Sequence, residues 1–494
     1  MVESRWDAVV IGGGIAGLSA AWEFCRAGLR PLVVEARGYV GGLIAGGRIA
    51  GVEMDLGAEG FVNRGEAVAI IAQALDMRII EPQGGGSRLF LPPLDTGGAT
   101  AGGATAGWAL HPMPSNAVLG IPADPLAPDV VETIGIDAAR VAAQDADMDP
   151  EIGQDQTSLA GFVEARMGPV LLDRLVRPLT AGIYTADPTV LSVDVVAPGL
   201  RARTLEAGSL SAAVASMRAA APRAAGDVSV EGGMFRLVRG MADRIIAAGG
   251  SIRTRTGARS LKPLPDVWSI DIGPTAPNPN PSLEPIPDGE PETILTTRLV
   301  VAASQSTAVR LLSARPSLYS DIPVLGGSPI ARSTIVVRCP GLSERPIGQG
   351  LLVAPSDDPP VRAKACSHLS VKWPRIGNEL RELHGPDVHA LRMSYGRPGE
   401  EPYQPDLDRL LADASTLTGL ALAPEDVIEW KTVRWDGSLP PRTPEHRERT
   451  ARLLEQVDAT PGLAVCGAWV AGSGVTSAVA QARAQARRLT GDPA

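Results

Sequence analysis

Residues 6–35 read WDAVVIGGGIAGLSAAWEFCRAGLRPLVVE, and this stretch decides the fold. A short β-rich run, Trp6 to Ile11, leads into a glycine turn, after which apolar residues recur at helical spacing up to Gly28. A second apolar run, Pro31 to Val34, ends at the acidic Glu35. The stretch predicts a strand, a tight turn, a helix and a second strand, which together begin a Rossmann-like α/β domain.

The glycine turn has the spacing of a dinucleotide-binding site, although a glycine-rich turn in an unrelated α/β fold is the alternative. Gly12 permits the tight turn, Gly14 lets the backbone approach a pyrophosphate, and Gly17 lets the helix pack on the sheet. The free N–H groups at the helix N-terminus favour an anion. Glu35 is placed to bind ribose hydroxyls. The predicted phosphate-binding residues are Gly12, Gly13, Gly14, Ile15, Ala16 and Gly17.

The amino-acid composition limits the classes of protein to which the chain can belong. The chain has 494 residues, of which 44% are hydrophobic and 20% charged, as expected for two or three globular domains. The net charge of −9 argues against a nucleic-acid-binding protein. Only Lys262, Lys364, Lys372 and Lys431 are lysines, so the remaining basic residues are Arg. We therefore expect an anionic ligand to be held by Arg, whose planar guanidinium suits carboxylates.

The sequence argues against a disulfide framework, a metal site and a membrane span. The four cysteines show no C-x-x-C spacing and the five histidines are scattered, so neither a disulfide framework nor a metal site is predicted. No segment reaches the ~20 apolar residues that a membrane span requires. We expect a cytoplasmic protein that can touch a membrane surface without crossing it.

Two segments after Glu35 favour FAD over NAD. Residues 36–42 read ARGYVGG, and a Gly pair shortly after the ribose-binding acid is typical of FAD proteins of the amine-oxidase and protoporphyrinogen-oxidase group. Residues 55–61 read DLGAEGF and resemble the next flavin-side segment of that group. The FAD contacts predicted here are Glu35, Ala36, Gly41, Gly42, Leu43, Gly57, Ala58, Glu59 and Gly60.

Further segments extend the resemblance over nearly the whole chain. They are LHPMP (110–114) with GIP (120–122), RLVRPLTAGIY (174–184), GGMFRL (232–237), KWP (372–374), RMSYGR (392–397), RW (434–435) with His446, and GAWVAGSGV (467–475). Their order and spacing resemble the bacterial FAD-dependent oxidases of haem biosynthesis. These include protoporphyrinogen oxidase and, as the closer match, the Gram-positive coproporphyrinogen oxidase.

The resemblance implies a reaction and its cofactor. Non-covalent FAD would accept a hydride from a carbon that bridges two pyrroles, and oxygen would reoxidise the flavin and release hydrogen peroxide. Coproporphyrinogen III would thereby become coproporphyrin III, and the ferrochelatase of the same pathway is an expected partner. In such enzymes the cofactor carries the chemistry while the protein supplies orientation and charge. No catalytic acid or base is therefore predicted.

Individual positions also acquire roles by resemblance. The additional FAD contacts predicted in this way are Ala258, Trp435, Gly467, Ser473, Gly474 and Val475. For Trp435, simple core packing is the alternative. Arg64 matches a basic position and is predicted to contact a substrate propionate, with a solvated loop Arg as the alternative. Ile183 is predicted to line the porphyrinogen face, with core packing as the alternative. His446 is predicted to have a structural role.

Two departures from the family pattern keep other functions open. Leu43-Ile44-Ala45 stands where the family usually has a basic residue followed by Ser or Thr, and residues 440–446, PPRTPEH, lack the family's Tyr. The alternatives are protoporphyrinogen as the substrate, a flavin amine oxidase or desaturase, and a non-catalytic relative that binds FAD or porphyrin.

The predicted fold class is α/β, with the FAD-binding domain interlaced with an α+β substrate domain and a helical lobe. Residues 1–90, 228–312 and 461–494 are assigned to the FAD domain, 91–227 to the lobe with part of the substrate region, and 313–460 to the substrate domain. Helices are predicted at 161–176 and 210–220. The low-complexity stretches Thr96–Gly107 and Pro274–Glu292 are predicted to be mobile surface insertions.

Overall fold

A computed structural model describes most of the chain. The described residues are 4–63, 65–94, 107–184, 186–220, 227–313, 328–397, 400–439, 444–472 and 474–491. Arg64, Ser473 and all of the Thr96–Gly107 stretch except Gly107 itself lie outside these ranges. Within the described ranges, no helix is both long enough and apolar enough to cross a membrane.

A five-stranded parallel sheet forms the centre of the part of the chain that the sequence predicts to bind a nucleotide, which we call the nucleotide-binding region. Its strands, in spatial order, are Ser251–Arg253, Pro31–Val34, Ala8–Ile11, Leu299–Val301 and Leu463–Val465. Three widely separated parts of the chain therefore build one sheet, and all its neighbouring strands run parallel. The three inner strands are fully buried, which explains why they read as continuous apolar runs rather than alternating ones.

Helices cover one face of the parallel sheet and a second sheet covers the other. The helices Ile15–Arg26, Met234–Ala247 and Val475–Thr490 share one apolar core with the sheet. On the opposite face, the core includes a side sheet and the helices Gln305–Leu312 and Pro444–Asp458. The side sheet consists of Ser4–Trp6, Glu292–Thr296, Trp268–Ala276, Thr256–Pro263 and the short Ile286–Pro287. The nucleotide-binding region thus has three layers.

A seven-stranded, mostly antiparallel sheet forms the second large element. Its strands, in spatial order, are Val427–Leu439, Ser328–Arg338, Val388–Tyr395, Ala365–His368, Gly350–Val353, Arg88–Leu91 and Ala109–Pro112. One face packs on helix Leu407–Thr418. The other face packs on helix Pro374–His384 and on the hairpin Gly46–Ile49 and Val52–Asp55. The second face therefore looks toward the nucleotide-binding region.

Helices between residues 128 and 220 form a lobe with its own core. Their bounds are Pro128–Ile134, Ile136–Ala143, Leu159–Met167, Pro169–Leu171, Arg177–Tyr184, Val193–Val196, Leu200–Ala207 and Leu210–Ala220. The single helix predicted over 161–176 is wrong. The helix stops because Gly168 has φ +82° and Pro169 follows, and a π-helical stretch then spans Leu172–Val176.

Short elements join these parts. Phe61–Val62 and Ile79–Ile80 each pair with Asp227–Val230, and helix Ala67–Ala74 lies between the first two in the chain. In the lobe region, Ala117–Val118 pairs with Ile121–Pro122. The division of the chain into domains stays a prediction.

Candidate cofactor and substrate site

The glycine turn is closely packed at two of its three motif positions. Gly12 has φ +107°, and a Cβ placed there would lie 2.6 Å from the Ala302 carbonyl oxygen. A Cβ on Gly17 would lie 1.9 Å from the Gly12 carbonyl oxygen. Glycine is therefore required at both positions, at Gly12 for conformation and clearance and at Gly17 for the approach of the helix to the turn.

The third motif position faces open space. Helix Ile15–Arg26 begins directly after Gly14, and a Cβ on Gly14 would meet no atom within 4 Å. The Gly pair lies beside it: Gly41 donates its N–H to the Gly13 carbonyl at 2.8 Å, and Gly42 has φ +61°. Ile15 and Ala16 occupy the first turn of the helix. The cradle between the two glycine segments therefore has the clearance and the N–H groups that a pyrophosphate requires.

Glu35 lies at the end of the second strand with both carboxylate oxygens in use. Oε2 accepts the N–H of Gly13 at 2.7 Å and Oε1 accepts the N–H of Arg37 at 2.7 Å. Burial raises the pKa of the carboxyl group, whereas the two N–H donors act in the opposite direction. Each oxygen retains acceptor capacity. Glu35 can therefore hold the turn and accept hydroxyl donors from a ribose at the same time.

The strand Thr256–Pro263 runs beside the turn that follows Glu35. Thr256 donates its N–H to the Glu35 carbonyl at 2.9 Å, and Thr275 donates its hydroxyl to the Ala36 carbonyl at 2.5 Å. Ala258 is buried in the same strand. The structure therefore brings Ala36 and the strand that carries Ala258 to the same side of Glu35.

The predicted flavin-side segment packs tightly on the residue after the Gly pair. A Cβ on Gly57 would lie 1.9 Å from the Leu43 carbonyl oxygen, and the same oxygen accepts the N–H of Ala58 at 3.0 Å. A Cβ on Gly60 would lie 2.6 Å from the carbonyl oxygen of Val228. The Leu43 side chain is partly exposed and supplies no charge. The segment thus continues directly from the cradle.

One face of the seven-stranded sheet lies opposite this segment. Trp435 pairs with Ile330, Arg332 with Ser394, and Thr334 with Arg392. Side chains of directly paired residues share a face and alternate along a strand, so Trp435, Arg332 and Arg392 lie on the same face. Arg332 donates to the Gly57 carbonyl at 3.0 Å. This face therefore presents one aromatic ring and two guanidinium groups to the flavin-side segment.

Glu59 joins the segment to that face through ion pairs. Its carboxylate pairs with Arg392 and, at 2.7 Å, with the Lys372 ammonium group. Burial raises the pKa of Glu59, but Arg392 and Lys372 more than offset this effect and hold it well below its usual range. Because both Arg392 and Lys372 pair with the single carboxylate of Glu59, the cluster has an excess of positive charge.

Asp55 at the start of the segment is a helix cap. Its carboxylate accepts the N–H groups of Met234 at 3.0 Å and Phe235 at 2.8 Å, at the N-terminus of helix Met234–Ala247. Burial raises the pKa of Asp55 to about 7. Both carboxylate oxygens of Asp55 are therefore engaged by the helix N-terminus.

The C-terminal predicted residues lie at two helix starts. Gly467 has φ +129° and precedes the short helix Ala468–Ala471, next to the strand end at Val465. Gly474 directly precedes helix Val475–Thr490, which packs against the helix after the glycine turn. Ser473 lies outside the described residues. Gly474 and Val475 are thus brought to the first helix, on the same side of the parallel sheet.

Ile183 and His446 lie elsewhere. Ile183 is in the last turn of the lobe helix Arg177–Tyr184 and is 51% exposed, and a Cβ on the adjacent Gly182 would lie 2.7 Å from Leu352. The exposure disfavours the alternative of core packing for Ile183. His446 contacts the Trp469 carbonyl through Nε2 at 2.9 Å, which agrees with a structural role.

Comparison with known proteins identifies the family. The family model described as flavin containing amine oxidoreductase matches residues 15–490. The chain belongs to this family. The α/β fold predicted from the sequence is confirmed, because structures of the family match over the full chain.

Individual relatives of this flavoprotein are distant but cover its whole length. It is 28% identical to a coproporphyrinogen III oxidase of Propionibacterium freudenreichii, over 97% of this chain and 90% of the relative. It is 23% identical to a coproporphyrinogen III oxidase of Bacillus subtilis, over 98% of each. A structure named "Putative protoporphyrinogen oxidase" from Exiguobacterium superposes with a TM-score of 0.75 at 24% identity, covering 99% of both chains. The predicted resemblance is thereby confirmed.

Three charged residues of the site were not among the predicted site residues. They are Arg332, Arg392 and Lys372. Arg392 and Lys372 stand in segments that carry the family resemblance, but their pairing with Glu59 depends on contacts across more than 300 positions of sequence. One local signal was available: Arg332 and Arg392 are charged residues within the strand sequences ARSTIVVR and LRMSY.

Proposed function

We propose that this flavoprotein binds FAD non-covalently and oxidises coproporphyrinogen III to coproporphyrin III, with oxygen as the acceptor and hydrogen peroxide as the by-product. The full-length match to two proteins named coproporphyrinogen III oxidase carries the proposal. Protoporphyrinogen is the alternative substrate, and the structural relative from Exiguobacterium supports it by name. Bound FAD would supply the hydride acceptor that the polypeptide lacks.

In this proposal, the chain holds the cofactor at both ends. Gly14 and Gly42 leave room for the pyrophosphate, and Glu35 accepts hydrogen bonds from the ribose. Gly57 to Gly60 would lie beside the flavin ring, because they follow directly from the cradle through Leu43. Trp435 would close the opposite side, since its ring lies on the sheet face that meets Gly57 through Arg332.

The charge of the sheet face supports an anionic substrate. Arg392 and Lys372 both pair with one carboxylate, that of Glu59, and Arg332 donates to the Gly57 carbonyl nearby. Burial strengthens the attraction of these groups for an anion, because water screens them less. A porphyrinogen carries propionates, and an excess of positive charge along its approach favours such a molecule over a cationic amine.

The decisive experiment follows the flavin during a single turnover. Purified protein is mixed without oxygen with coproporphyrinogen III, protoporphyrinogen IX or a primary amine, and loss of the yellow flavin absorbance is recorded. We expect rapid bleaching with coproporphyrinogen III and, when oxygen is admitted, porphyrin fluorescence together with peroxide. Bleaching by the amine alone would overturn the proposed substrate class. Flavin that stays oxidised with every porphyrinogen would overturn the proposed activity.

A further inference from the structure

The segment between the strand Trp268–Ala276 and Ile286–Pro287 does not form a loose surface loop. Its two ends pair with each other through Thr275 with Pro287 and Ala276 with Ile286. Within the turn, Ser282 donates its N–H to Asn280 Oδ1 at 3.2 Å, and Asn278 donates its side-chain amide to the Glu284 carbonyl at 3.0 Å. We call residues 277–285 the clasp. The composition of Pro274–Glu292, which predicts a mobile surface insertion, does not predict these bonds.

One side of the clasp holds the turn that follows Glu35. Arg37 donates to the carbonyls of Pro281 at 3.2 Å and Leu283 at 3.4 Å. The backbone N–H of the same Arg37 donates to Glu35. The clasp is therefore two hydrogen-bond steps from the carboxylate that we assign to the ribose.

The other side of the clasp holds the edge strand of the seven-stranded sheet. Arg434 donates to Asn280 Oδ1 at 3.1 Å and to the hydroxyl of Ser282 at 3.0 Å, and Ser282 donates to Asp436 at 2.6 Å. Arg434 and Asp436 also form an ion pair at 3.2 Å. Ser282 is only 5% exposed although it lies in a turn. This buried polar contact ties the clasp to the strand that carries Trp435.

The clasp also forms one wall of a cavity of about 530 Å³. The opposite walls are the turn Arg37 to Tyr39 and the strand residues Thr432 to Trp435. Without the clasp, the turn after Glu35 would lose the hydrogen bonds of the Arg37 guanidinium group and keep its backbone bonds to the side sheet, such as the one from the Arg255 N–H to the Arg37 carbonyl at 2.9 Å. Segments with few such contacts open most readily.

We propose that the clasp retains the adenosine end of the cofactor by tying the ribose-binding turn to the edge strand next to Trp435. Arg37, Ser282 and Arg434 act as positioning residues, since each works through Glu35 or the strand rather than on the reacting atoms. Opening of the clasp frees the turn, and the nucleotide end can then leave before the flavin end does. This inference rests on the proposed binding of FAD.

The test measures the dissociation of FAD from the holoprotein. Ser282→Ala removes the buried contact with Asp436, and Arg434→Met removes the donors while keeping most of the side-chain stem. We expect each variant to release FAD about fivefold faster or more, which corresponds to about 1 kcal/mol. Ser282→Thr keeps the hydroxyl and should release FAD at the wild-type rate. Release is followed by the rise in flavin fluorescence after dilution.

A matched control separates this effect from general loss of stability. Ser115→Ala removes a hydroxyl that donates to Asp129 at 3.1 Å in the lobe, far along the chain from the clasp. We expect Ser115→Ala to release FAD at the wild-type rate. Wild-type release rates in both Ser282→Ala and Arg434→Met would overturn the clasp while leaving the proposed function intact. A wild-type protein that binds no FAD would instead overturn the proposed function itself.

Discussion

At the scale of single residues, Glu35 combines a structural role in its turn with the ribose binding that we propose for it. It accepts backbone N–H groups from Gly13 and from Arg37, one on each oxygen. Hydrogen bonds to a charged group contribute roughly 1.5–3 kcal/mol each. The same carboxylate therefore shapes the turn on which the nucleotide depends.

Glu35→Gln is expected to weaken FAD binding by about tenfold or more, which corresponds to the loss of one charged hydrogen bond. The amide keeps the size of the side chain but replaces one acceptor oxygen by a donor, so either Gly13 or Arg37 loses its partner. Titration of the apoprotein with FAD measures the effect. Glu81→Gln is the control, because Glu81 is an exposed carboxylate outside both the turn and the clasp. Equal affinity in Glu35→Gln and wild type would remove Glu35 from the site.

A buried histidine pair predicts a dependence of stability on pH. His368 Nε2 lies 3.2 Å from His389 Nδ1, and His389 Nε2 lies 3.2 Å from the Ser343 hydroxyl. Burial, followed by the nearby His389, lowers the pKa of His368 to about 3 from 6.5. The folded state therefore binds fewer protons than the unfolded state between these values. Stability from this group is present above about pH 6.5 and is lost as the pH falls toward 3.

We expect His368 to contribute a loss of about 2 kcal/mol in the free energy of unfolding between pH 7 and pH 5. His368→Gln removes the titrating group, so its stability should decline less over this interval than that of the wild type. Urea unfolding at several pH values gives the comparison. Parallel curves for variant and wild type would show that His368 does not titrate in this way.

The sequence predicts the position of some residues of the candidate site but not of others. Glu35 is predictable because its distance from the glycine turn is set by one helix and one short strand. Arg332 is not, since its partner Gly57 lies 275 positions away and only the packing of the sheet brings them together. The local signal for Arg332 is a charged residue within a predicted strand.

At the scale of elements, two glycines of the strand-turn-helix unit differ in the space around them. Gly14 has φ −71° and an open side, whereas Gly17 is in contact with the Gly12 carbonyl. The fold of the unit therefore requires Gly17 and leaves room for a side chain at Gly14, where we propose that the pyrophosphate lies.

Gly14→Ala should fold with wild-type thermal stability in the apo form and fail to bind FAD, because the new methyl group occupies the space of the pyrophosphate. Gly17→Ala should lower the apo stability as well, because its Cβ would lie 1.9 Å from the Gly12 oxygen. Thermal unfolding without FAD and titration with FAD distinguish the two variants. Wild-type FAD affinity in Gly14→Ala would contradict the placement of the pyrophosphate.

The lobe shows where element prediction fails. Residues 161–176 carry a helical pattern of apolar residues, yet the helix ends at Met167 because Gly168 adopts φ +82° before Pro169. The Gly-Pro pair is a local signal for this break. The π-helical stretch after it has no such signal, since it depends on how the lobe core packs around Leu172, Leu175 and Val176.

At the scale of the whole molecule, ion pairs at Glu59 connect the nucleotide-binding region with the seven-stranded sheet. Arg392 belongs to the sheet and Lys372 to the short helix Leu369–Lys372 beside it. Removing one member of a buried ion pair typically costs 3–5 kcal/mol, because the remaining charge stays buried without its partner.

Glu59→Gln should therefore destabilise the protein by about 3–5 kcal/mol and lower FAD affinity. It leaves Arg392 and Lys372 as neighbouring like charges. Glu53→Gln is the matched control: Glu53 pairs with Arg239 at 3.0 Å in a half-exposed position, so we expect a change below about 1 kcal/mol. Urea unfolding of both variants tests this difference. Equal stability of the two would show that the Glu59 ion pairs do not hold the two parts together.

The assembly from separated pieces was predictable only by resemblance. Periodicity indicates the strands at 299–301 and 463–465, but not that they flank each other beside the first strand. The order of strands follows from packing over the full chain. The clasp illustrates the same limit, because its composition does not predict that Arg37 in the turn after Glu35 and Arg434 in the seven-stranded sheet both bind it.

Substrate choice depends on the molecule as a whole. We expect kcat/KM to be higher for coproporphyrinogen III than for protoporphyrinogen IX. Coproporphyrinogen carries four propionates against two, and Arg can bind carboxylates through two parallel hydrogen bonds. Arg64 follows the flavin-side segment in the sequence, so Arg64→Ala should raise KM more for coproporphyrinogen. A contact made equally in the ground and transition states changes KM rather than kcat. Arg338→Ala is the control, because Arg338 is exposed and donates to the Pro386 and His384 carbonyls. A wild-type preference for protoporphyrinogen would overturn the substrate while leaving the flavin-dependent oxidation intact.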